Sequence, residues 1–284
     1  MHKIDIDAPA KINLTLDVLH RRQDGYHELE MIMQTINLKD RVTVEVIPEQ
    51  AIKIHTNHKE LPIDGRNIAY KAAKMMIKEF NLDAGFKIHL HKKIPVGAGL
   101  AGGSSNAAAV ILAINELFGL KRSKEELMIL GKRIGADVPF CIQKGTVLAS
   151  GIGEKLKVLN KIPKLSLLLV KPPYSVSTKE VYNRLDISHI KQRPETKAMI
   201  DSINRQDVNG IASHLCNVLE EVTLKLHPEL EVIKNLMFQG GALGSLMSGS
   251  GPTIFGVFEN TPQAVRAREE INWGKNYCLV SEVN

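Results

Sequence analysis

The chain has 284 residues, 44% of them hydrophobic and 24% charged, which is typical of a globular protein with one large or two ordinary domains. No apolar run approaches the roughly 18 residues of a membrane span, and the first residues lack the hydrophobic stretch of a signal peptide. The three cysteines are scattered, which argues against a disulfide framework and predicts a cytoplasmic location.

The net charge of +6 suits either nucleic acid or a small polyanionic substrate. The basic residues are dispersed and aromatic residues make up only 5% of the chain, whereas single-strand binding surfaces need stacking aromatics. We therefore expect a small-molecule substrate, with neither nucleic acid nor a membrane as partner.

The first strong pattern is a strand, DAPAKINLTLDVL, whose side chains alternate with period two. The alternation predicts a half-buried strand with Lys11 and Asn13 on its polar face. RVTVEVI and FKIHLHKKI repeat that period. Helical patterns follow in RNIAYKAAKMMIKEF and in SSNAAAVILAINELF, and Gly119 ends the second of them.

The remaining elements follow no regular strand–helix alternation. Ser123 and Glu126 predict a capping box for a helix that ends at Gly135. Later strands are expected in KLSLLLV, TIFGVF and NYCLVSEV, with helical segments between them. The pattern loosens after Gly145, which predicts domains at 1–150 and 151–284 and favours an α+β fold over a doubly wound sheet.

A glycine-rich loop, PVGAGLAGGSSNAAAVILAIN, has the spacing G-x-G-x-x-G at Gly97, Gly99 and Gly102. A dinucleotide fold would place an acidic residue at a strand end about 20 positions later, but GLKRSKEE opens a helix there. No lysine follows the glycines before Ser104, so a P-loop is excluded as well. A plain turn followed by a serine N-cap remains the simplest alternative.

The chemistry of this loop favours phosphate. Residues without Cβ allow backbone N–H groups to converge, and Ser104 and Ser105 are expected to open a helix whose N-terminus carries roughly half a positive charge. The predicted phosphate-binding residues are Pro95, Val96, Gly97, Ala98, Gly99, Leu100, Ala101, Gly102, Gly103, Ser104 and Ser105.

Three segments in order resemble the motifs of the GHMP kinase superfamily: PAKINLTL, the glycine-rich loop with SSNAA, and LMSGSGPTIFGVF. The resemblance implies ATP as phosphate donor with Mg²⁺. It also implies an N-terminal domain like domain 2 of ribosomal protein S5, a ferredoxin-like C-terminal domain and an active site in the cleft between them.

Within the superfamily, HRRQDGYHELEMIMQTINLKDRV and GADVPFCIQKGTVLASGIGE resemble kinases that phosphorylate the 2-hydroxyl of a cytidine diphosphate-linked methylerythritol, on the methylerythritol phosphate route to isoprenoids. The resemblance implies that Tyr26 and His27 bind the cytosine, and that a second aromatic residue stacks on it. SVSTKEVY assigns that residue to Tyr182, with Tyr174 as the alternative. Without the resemblance, Tyr26 and His27 are equally explained as residues of a hairpin tip.

The resemblance places the catalytic aspartate at Asp137 and its lysine partner at Lys11. Asp137 is expected to accept the proton of the attacking hydroxyl, while Lys11 keeps that carboxylate ionised and favours the developing alkoxide. Asn13 is expected to contact the substrate. From the residues alone, Asp137 is more often a turn or capping residue.

Further residues are assigned to the nucleotide. Asn67, also a candidate N-cap, and Lys92 resemble positions near the nucleotide, while Gly249 and Ser250 are expected to press backbone against the phosphate loop. No acidic metal ligand can be identified; either Ser104 or Ser105, or phosphate oxygens and water, would hold the ion.

Two alternatives stay open at this stage. One is another small-molecule kinase of the superfamily, against which DGYH argues. The other is an RNA-binding module with an S5-like fold, whose affinity would fall steeply with salt. A monomer or a homodimer is expected.

Overall fold

The computed structural model describes residues 2–283, which form two compact units. The strands are β1 (Lys3–Arg21), β2 (His27–Ile47), β3 (Ile52–Thr56), β4 (Gly85–His91), β5 (Thr146–Gly151), β6 (Lys155–Val158), β7 (Leu165–Lys171), β8 (Cys216–Asn217), β9 (Gly244–Met247), β10 (Ile254–Phe258) and β11 (Tyr277–Val283). The helices are α1 (Ile68–Phe80), α2 (Gly102–Leu117), α3 (Lys124–Lys132), α4 (Val138–Gln143), α5 (Thr178–Arg184), α6 (Thr196–Asn204), α7 (Val208–Ser213), α8 (Glu220–Leu226), α9 (Glu229–Gln239) and α10 (Thr261–Glu270).

Among the described residues, the first unit consists of residues 2–10, 38–95 and 101–144. Its strands follow the order β3-β4-β2-β1, with β3 and β4 parallel and β4 and β2 antiparallel. The inward side chains of β2 and β4, such as Val44 and Ile88, are fully buried. Helices α1 and α2 pack on each other, and α3 and α4 complete the helical layer. Ser123 and Glu126 form the predicted capping box at the start of α3.

The second unit consists of residues 11–37, 96–100 and 145–283. In one sheet β2 pairs with β5, β5 with β6, and β1 with the short parallel strand β8. The other sheet is antiparallel in the order β11-β7-β10-β9. Helix α9 precedes β9 and α10 joins β10 to β11, so this part has the β-α-β-β-α-β arrangement of a ferredoxin-like fold. The predicted α+β class is confirmed.

The two units do not correspond to one division of the chain near residue 150. Strands β1 and β2 are 19 and 21 residues long, and each contributes residues to both units. The sequence domains 1–150 and 151–284 therefore stay a prediction. No helix within residues 2–283 is both long and apolar enough to span a bilayer.

The polar face of β1 is buried, so the prediction of a half-buried strand was wrong. Lys11, Asn13 and Thr15 are no more than 4% exposed. Their polar atoms are bonded within the protein: Lys11 Nζ donates to Asn13 Oδ1 at 2.7 Å, and Thr15 Oγ1 accepts from the backbone N–H of Ile32 at 3.0 Å. Burial of this face is possible because its polar groups have partners.

Helix α2 begins at Gly102, two residues before the predicted start. Its N-cap is Ala101, which has a left-handed backbone with φ of 56° and makes no side-chain cap bond. The hydroxyl of Ser105 instead donates to the carbonyl oxygen of Pro9 at 2.7 Å. A serine N-cap therefore does not explain this loop.

Candidate active site

The loop from Val96 to Leu100 lies in the second unit and requires its glycines. Gly97 and Gly99 have φ values of +62° and +72°, in the left-handed region that favours glycine. A Cβ atom at Gly99 would also overlap the carbonyl oxygen of Ser248, and one at Gly97 would overlap Ser175 Oγ. The loop backbone is therefore held tightly between two other segments of its unit.

Lys11 lies beside this loop. Its ammonium donates to the carbonyl oxygen of Gly99 at 2.9 Å and to Asn13 Oδ1 at 2.7 Å. Ser248 Oγ donates to the same Gly99 oxygen at 3.0 Å, and a Cβ at Gly249 would lie 3.4 Å from Lys11 Nζ. The structure thus brings together four residues predicted for the site, which fixes a buried positive charge next to the glycine loop.

The 247–251 segment is held by two side chains that the sequence analysis missed. Asn217 Nδ2 donates to the carbonyl oxygens of Met247 and Gly249, at 2.8 Å each. Glu220 Oε1 accepts from the backbone N–H of Met247 at 2.8 Å. No motif or spacing in the sequence singles out Asn217, which lies in β8. The Asn217 amide holds the backbone that faces Gly99.

In the first unit, the start of α2 has the features of an anion site. Its first turn contains no acidic residue, and its N-cap side chain does not satisfy the terminal N–H groups. Gly103 is exposed and Ser104 is half-buried. The backbone amides and the helix dipole can therefore act together on an anion.

A buried polar network fixes this helix start. Asp40, which is fully buried, accepts bonds from the backbone N–H groups of Lys93 and Ile94 at 2.7 and 2.8 Å. Its other oxygen accepts from Lys92 Nζ and from Asn106 Nδ2 in α2. Burial lowers the pKa of Lys92 while the Asp40 carboxylate opposes that shift. Asp40 and Asn106 were missed by the sequence analysis, and the nucleotide contact expected of Lys92 stays a prediction.

Asp40→Asn is expected to lower the free energy of unfolding by about 3–5 kcal/mol, because it leaves the Lys92 charge buried without a counter-ion. Chemical denaturation measures this loss directly. Asp64→Asn is the matched control, since Asp64 pairs with Arg66 on the surface, and it should leave the denaturation midpoint nearly unchanged. Equal denaturation midpoints for the two variants would contradict the role of Asp40 as the counter-ion of the buried Lys92.

Asp137 occupies the N-cap position of α4, but its carboxylate makes no capping hydrogen bond. It is half-buried, and a Cβ at Gly135 would lie 4.0 Å from Ser104 Oγ, so the segment before Asp137 passes beside the start of α2. Asn67, in contrast, is the N-cap of α1: its Oδ1 accepts from the backbone N–H of Ala69 at 2.9 Å. The capping explanation therefore holds for Asn67 and not for Asp137, and both ligand contacts stay predictions.

The aromatic residues of the second unit form a stacked pair. The rings of His27 and Tyr182 have centroids 5.2 Å apart and planes inclined by 28°. Burial, together with the nearby charge of Arg21, lowers the pKa of His27, which favours the neutral ring. Tyr26 is 61% exposed. Tyr174 lies elsewhere and stacks on His227 at 4.7 Å, so Tyr182 is the aromatic residue that meets His27.

A cavity of about 750 Å³ adjoins the stacked pair. Two arginines, Arg21 and Arg184, lie in its wall and give it donors for an anion. The remaining lining residues are His27, Tyr182, Asn183, Leu185, Asp186, Ile187 and Ser188. An aromatic pair next to guanidinium groups is suited to a base carrying phosphate groups.

The described part of the chain contains no group of three or more histidine, cysteine, aspartate or glutamate side chains placed to hold a metal ion. In the second unit the donors beside the glycine loop are the Lys11 ammonium and the Ser248 hydroxyl, and in the first unit the start of α2 offers backbone amides. Such a set is suited to phosphate rather than to a caged metal.

Comparison with known proteins identifies the family. Residues 67–145 match the model of the GHMP kinases N terminal domain, and residues 199–275 match that of the GHMP kinases C terminal domain. The chain belongs to the GHMP kinases. Members of this family are phosphotransferases that use ATP as phosphate donor.

Two bacterial relatives of this GHMP kinase are named 4-diphosphocytidyl-2-C-methyl-D-erythritol kinase. The protein of Caldicellulosiruptor saccharolyticus is 48% identical over 94% of this chain and 92% of its own. That of Bacillus velezensis is 50% identical over 89% and 87%. A crystal structure of 4-(cytidine 5'-diphospho)-2C-methyl-D-erythritol kinase superposes with a TM-score of 0.82 at 35% identity, covering 99% of this chain and all of that one.

Proposed function

We propose that this GHMP kinase transfers the γ-phosphoryl group of ATP to the 2-hydroxyl of 4-diphosphocytidyl-2-C-methyl-D-erythritol, giving the 2-phosphate and ADP in the methylerythritol phosphate pathway. The names of the full-length relatives support this substrate. The observation that carries the proposal is the His27–Tyr182 pair beside an arginine-lined cavity, because it supplies a stacking surface and anion donors in one unit. The enzyme is proposed to work in the cytoplasm, as a monomer or a homodimer.

The glycine loop and the start of α2 are proposed to bind the ATP phosphates. Backbone amides between Pro95 and Ser105 donate to phosphate oxygens, and the α2 dipole adds to their attraction. Gly249 and Ser250 are proposed to support the loop through their backbone, because a Cβ at Gly249 would lie 3.3 Å from the carbonyl oxygen of Gly99. Asn67 and Lys92 are proposed to act near the nucleotide.

Asp137 and Lys11 are proposed as the catalytic residues. Phosphoryl transfer depends mainly on positioning and charge stabilisation. The Asp137 carboxylate, which is not used as a helix cap, orients the attacking hydroxyl and accepts its proton. Lys11 supplies a fixed positive charge that favours the developing alkoxide, and Asn13, which accepts from Lys11 Nζ, contacts the substrate.

Mg²⁺ is proposed to bind with the nucleotide, where it neutralises charge on the β- and γ-phosphates. The available protein donors fit an ion held mainly by phosphate oxygens and water, since Mg²⁺ keeps several waters in such sites. Ser104 is the hydroxyl that would contribute, because Ser105 Oγ donates to Pro9.

Domains 1–150 and 151–284 are proposed as the N- and C-terminal GHMP kinase domains. The family matches at 67–145 and 199–275 support this division, because they lie on opposite sides of residue 150.

Tyr182→Ala is expected to raise the KM for the cytidyl substrate about 5- to 150-fold, because one stacked base is worth about 1–3 kcal/mol. The KM for ATP should change little. Tyr182→Phe keeps the stacked ring and should retain a near-normal KM. Tyr277→Ala, at an exposed position in β11, is the control for general damage. A KM unaffected by Tyr182→Ala would contradict the stacking role.

The proposed reaction is tested by measuring ADP release with Mg-ATP and a panel of alcohols that includes 4-diphosphocytidyl-2-C-methyl-D-erythritol, homoserine and mevalonate. Turnover of the cytidyl compound alone is the expected result. Turnover of homoserine or mevalonate without turnover of the cytidyl compound would overturn the substrate assignment and favour another GHMP kinase activity.

A further inference from the structure

The helix that carries Tyr182 is connected to both glycine-rich loops of its unit. The connection is the strap, defined as residues 172–178, which runs from the end of β7 to the first residue of α5. Ser175 packs closely against Gly97, because a Cβ atom placed on Gly97 would overlap Ser175 Oγ. Thr178 Oγ1 and Ser250 Oγ share a hydrogen bond of 2.8 Å. The strap therefore contacts the glycine loop at Ser175 and the 247–251 segment at Thr178.

The start of the strap, next to β7, is fixed by hydrogen bonds and by ring stacking. Lys171 Nζ donates to the carbonyl oxygens of Pro172 and Tyr174, at 2.7 and 2.8 Å. Tyr174 stacks on His227, and its hydroxyl donates to Glu229 Oε1 at 2.5 Å. The strap is therefore held at its start as well as at Thr178, and Tyr182 follows Thr178 in α5 by about one helical turn.

The 247–251 segment is in turn hydrogen-bonded to the glycine loop. Ser250 follows Gly249, whose carbonyl oxygen accepts from Asn217 Nδ2. Ser248 Oγ bonds to the Gly99 oxygen that also accepts from Lys11 Nζ. The glycine loop is therefore connected by hydrogen bonds and the chain to Ser250, to which Thr178 is bonded.

We infer that the hydrogen bond between Thr178 and Ser250 couples nucleotide binding at the glycine loop to base stacking at His27 and Tyr182, so that each ligand strengthens the binding of the other. Thr178 is a positioning residue, because it acts on the base through α5. Binding free energies are coupled reciprocally, so the same factor appears whichever ligand is added first. The inference rests on the proposed function, since it takes the base to be that of the cytidyl substrate.

Calorimetric titration tests the coupling. The Kd of 4-diphosphocytidyl-2-C-methyl-D-erythritol is measured with and without the saturating Mg²⁺ complex of a non-hydrolysable ATP analogue. In the wild-type enzyme the ratio of the two Kd values should be about fivefold or more, the lower end of usual coupling factors. Thr178→Val preserves the shape and removes the hydroxyl, and it should reduce the ratio to below about twofold. Thr178→Ser restores the hydroxyl and should restore the ratio.

Thr261→Val is the matched control, because Thr261 is also the first residue of its helix and also shares a hydroxyl hydrogen bond with a serine, Ser166, at 3.0 Å. It should keep the wild-type ratio. An unchanged ratio in Thr178→Val, no coupling in the wild type, or equal loss in Thr261→Val would each overturn the inference. Turnover of the cytidyl compound by the wild-type enzyme is measured separately, so failure of the coupling is distinguished from failure of the proposed function.

Discussion

Asp137→Asn is expected to lower kcat by about 10²- to 10⁴-fold, the range that a positioned general base contributes. The amide keeps the size of the side chain and removes its ability to accept the proton as a carboxylate. Because Asp137 makes no capping bond to α4, the substitution should leave the melting temperature close to that of the wild type. Steady-state ADP release and a thermal melt measure the two effects.

Asp201→Asn is the control for this variant, since Asp201 is exposed on α6. It should retain normal turnover. Activity of Asp137→Asn within tenfold of the wild type would remove Asp137 from the mechanism. A large fall in the melting temperature would instead make it a structural residue.

Gly99→Ala is expected to lower kcat/KM for ATP by about 100-fold, the effect of misplacing reacting groups by about 1 Å. The new Cβ would overlap the carbonyl oxygen of Ser248, and φ is +72°, so the loop must move. That movement also displaces the oxygen to which Lys11 Nζ donates. Initial rates at varied ATP concentration measure the loss.

Gly119→Ala separates loop displacement from backbone strain alone. Gly119 has φ of +56°, and no atom lies within 4 Å of a Cβ placed there. Its strain should cost about 1–2 kcal/mol of stability without changing kcat/KM. If both alanine variants lowered kcat/KM equally, packing of the loop against Ser248 would not be the reason that Gly99 is required.

Much of the fold was readable in the sequence because its signals are local. The period of two predicts the strands around Asn13 and Ile88, and the capping box predicts the start of α3 as observed. The start of α2 was misplaced because Ala101, in a left-handed conformation, carries no local capping signal. Burial of the polar face of β1 was missed because it depends on partners distant in the sequence, such as Ile32 and Gly99.

In the candidate site, too, local motifs were predicted and long-range contacts were not. Motifs predicted Lys11, Asp137 and the glycine loop, and they favoured Tyr182 over Tyr174 as the second aromatic residue on the cytosine. The structure stacks Tyr182 on His27. The residues that hold these groups were not predicted, since Asp40 and Asn217 act through hydrogen bonds to segments that are distant in the sequence. Such contacts leave no periodicity or spacing in the sequence.

The proposed activity depends on backbone amides at the glycine loop and the start of α2, rather than a lysine within that loop, binding the ATP phosphates. A crystal structure of the enzyme with the Mg²⁺ complex of a non-hydrolysable ATP analogue would locate those phosphates. We expect β- and γ-phosphate oxygens within hydrogen-bond distance of amides between Gly97 and Ser104. A nucleotide bound elsewhere, with those amides solvated, would contradict it.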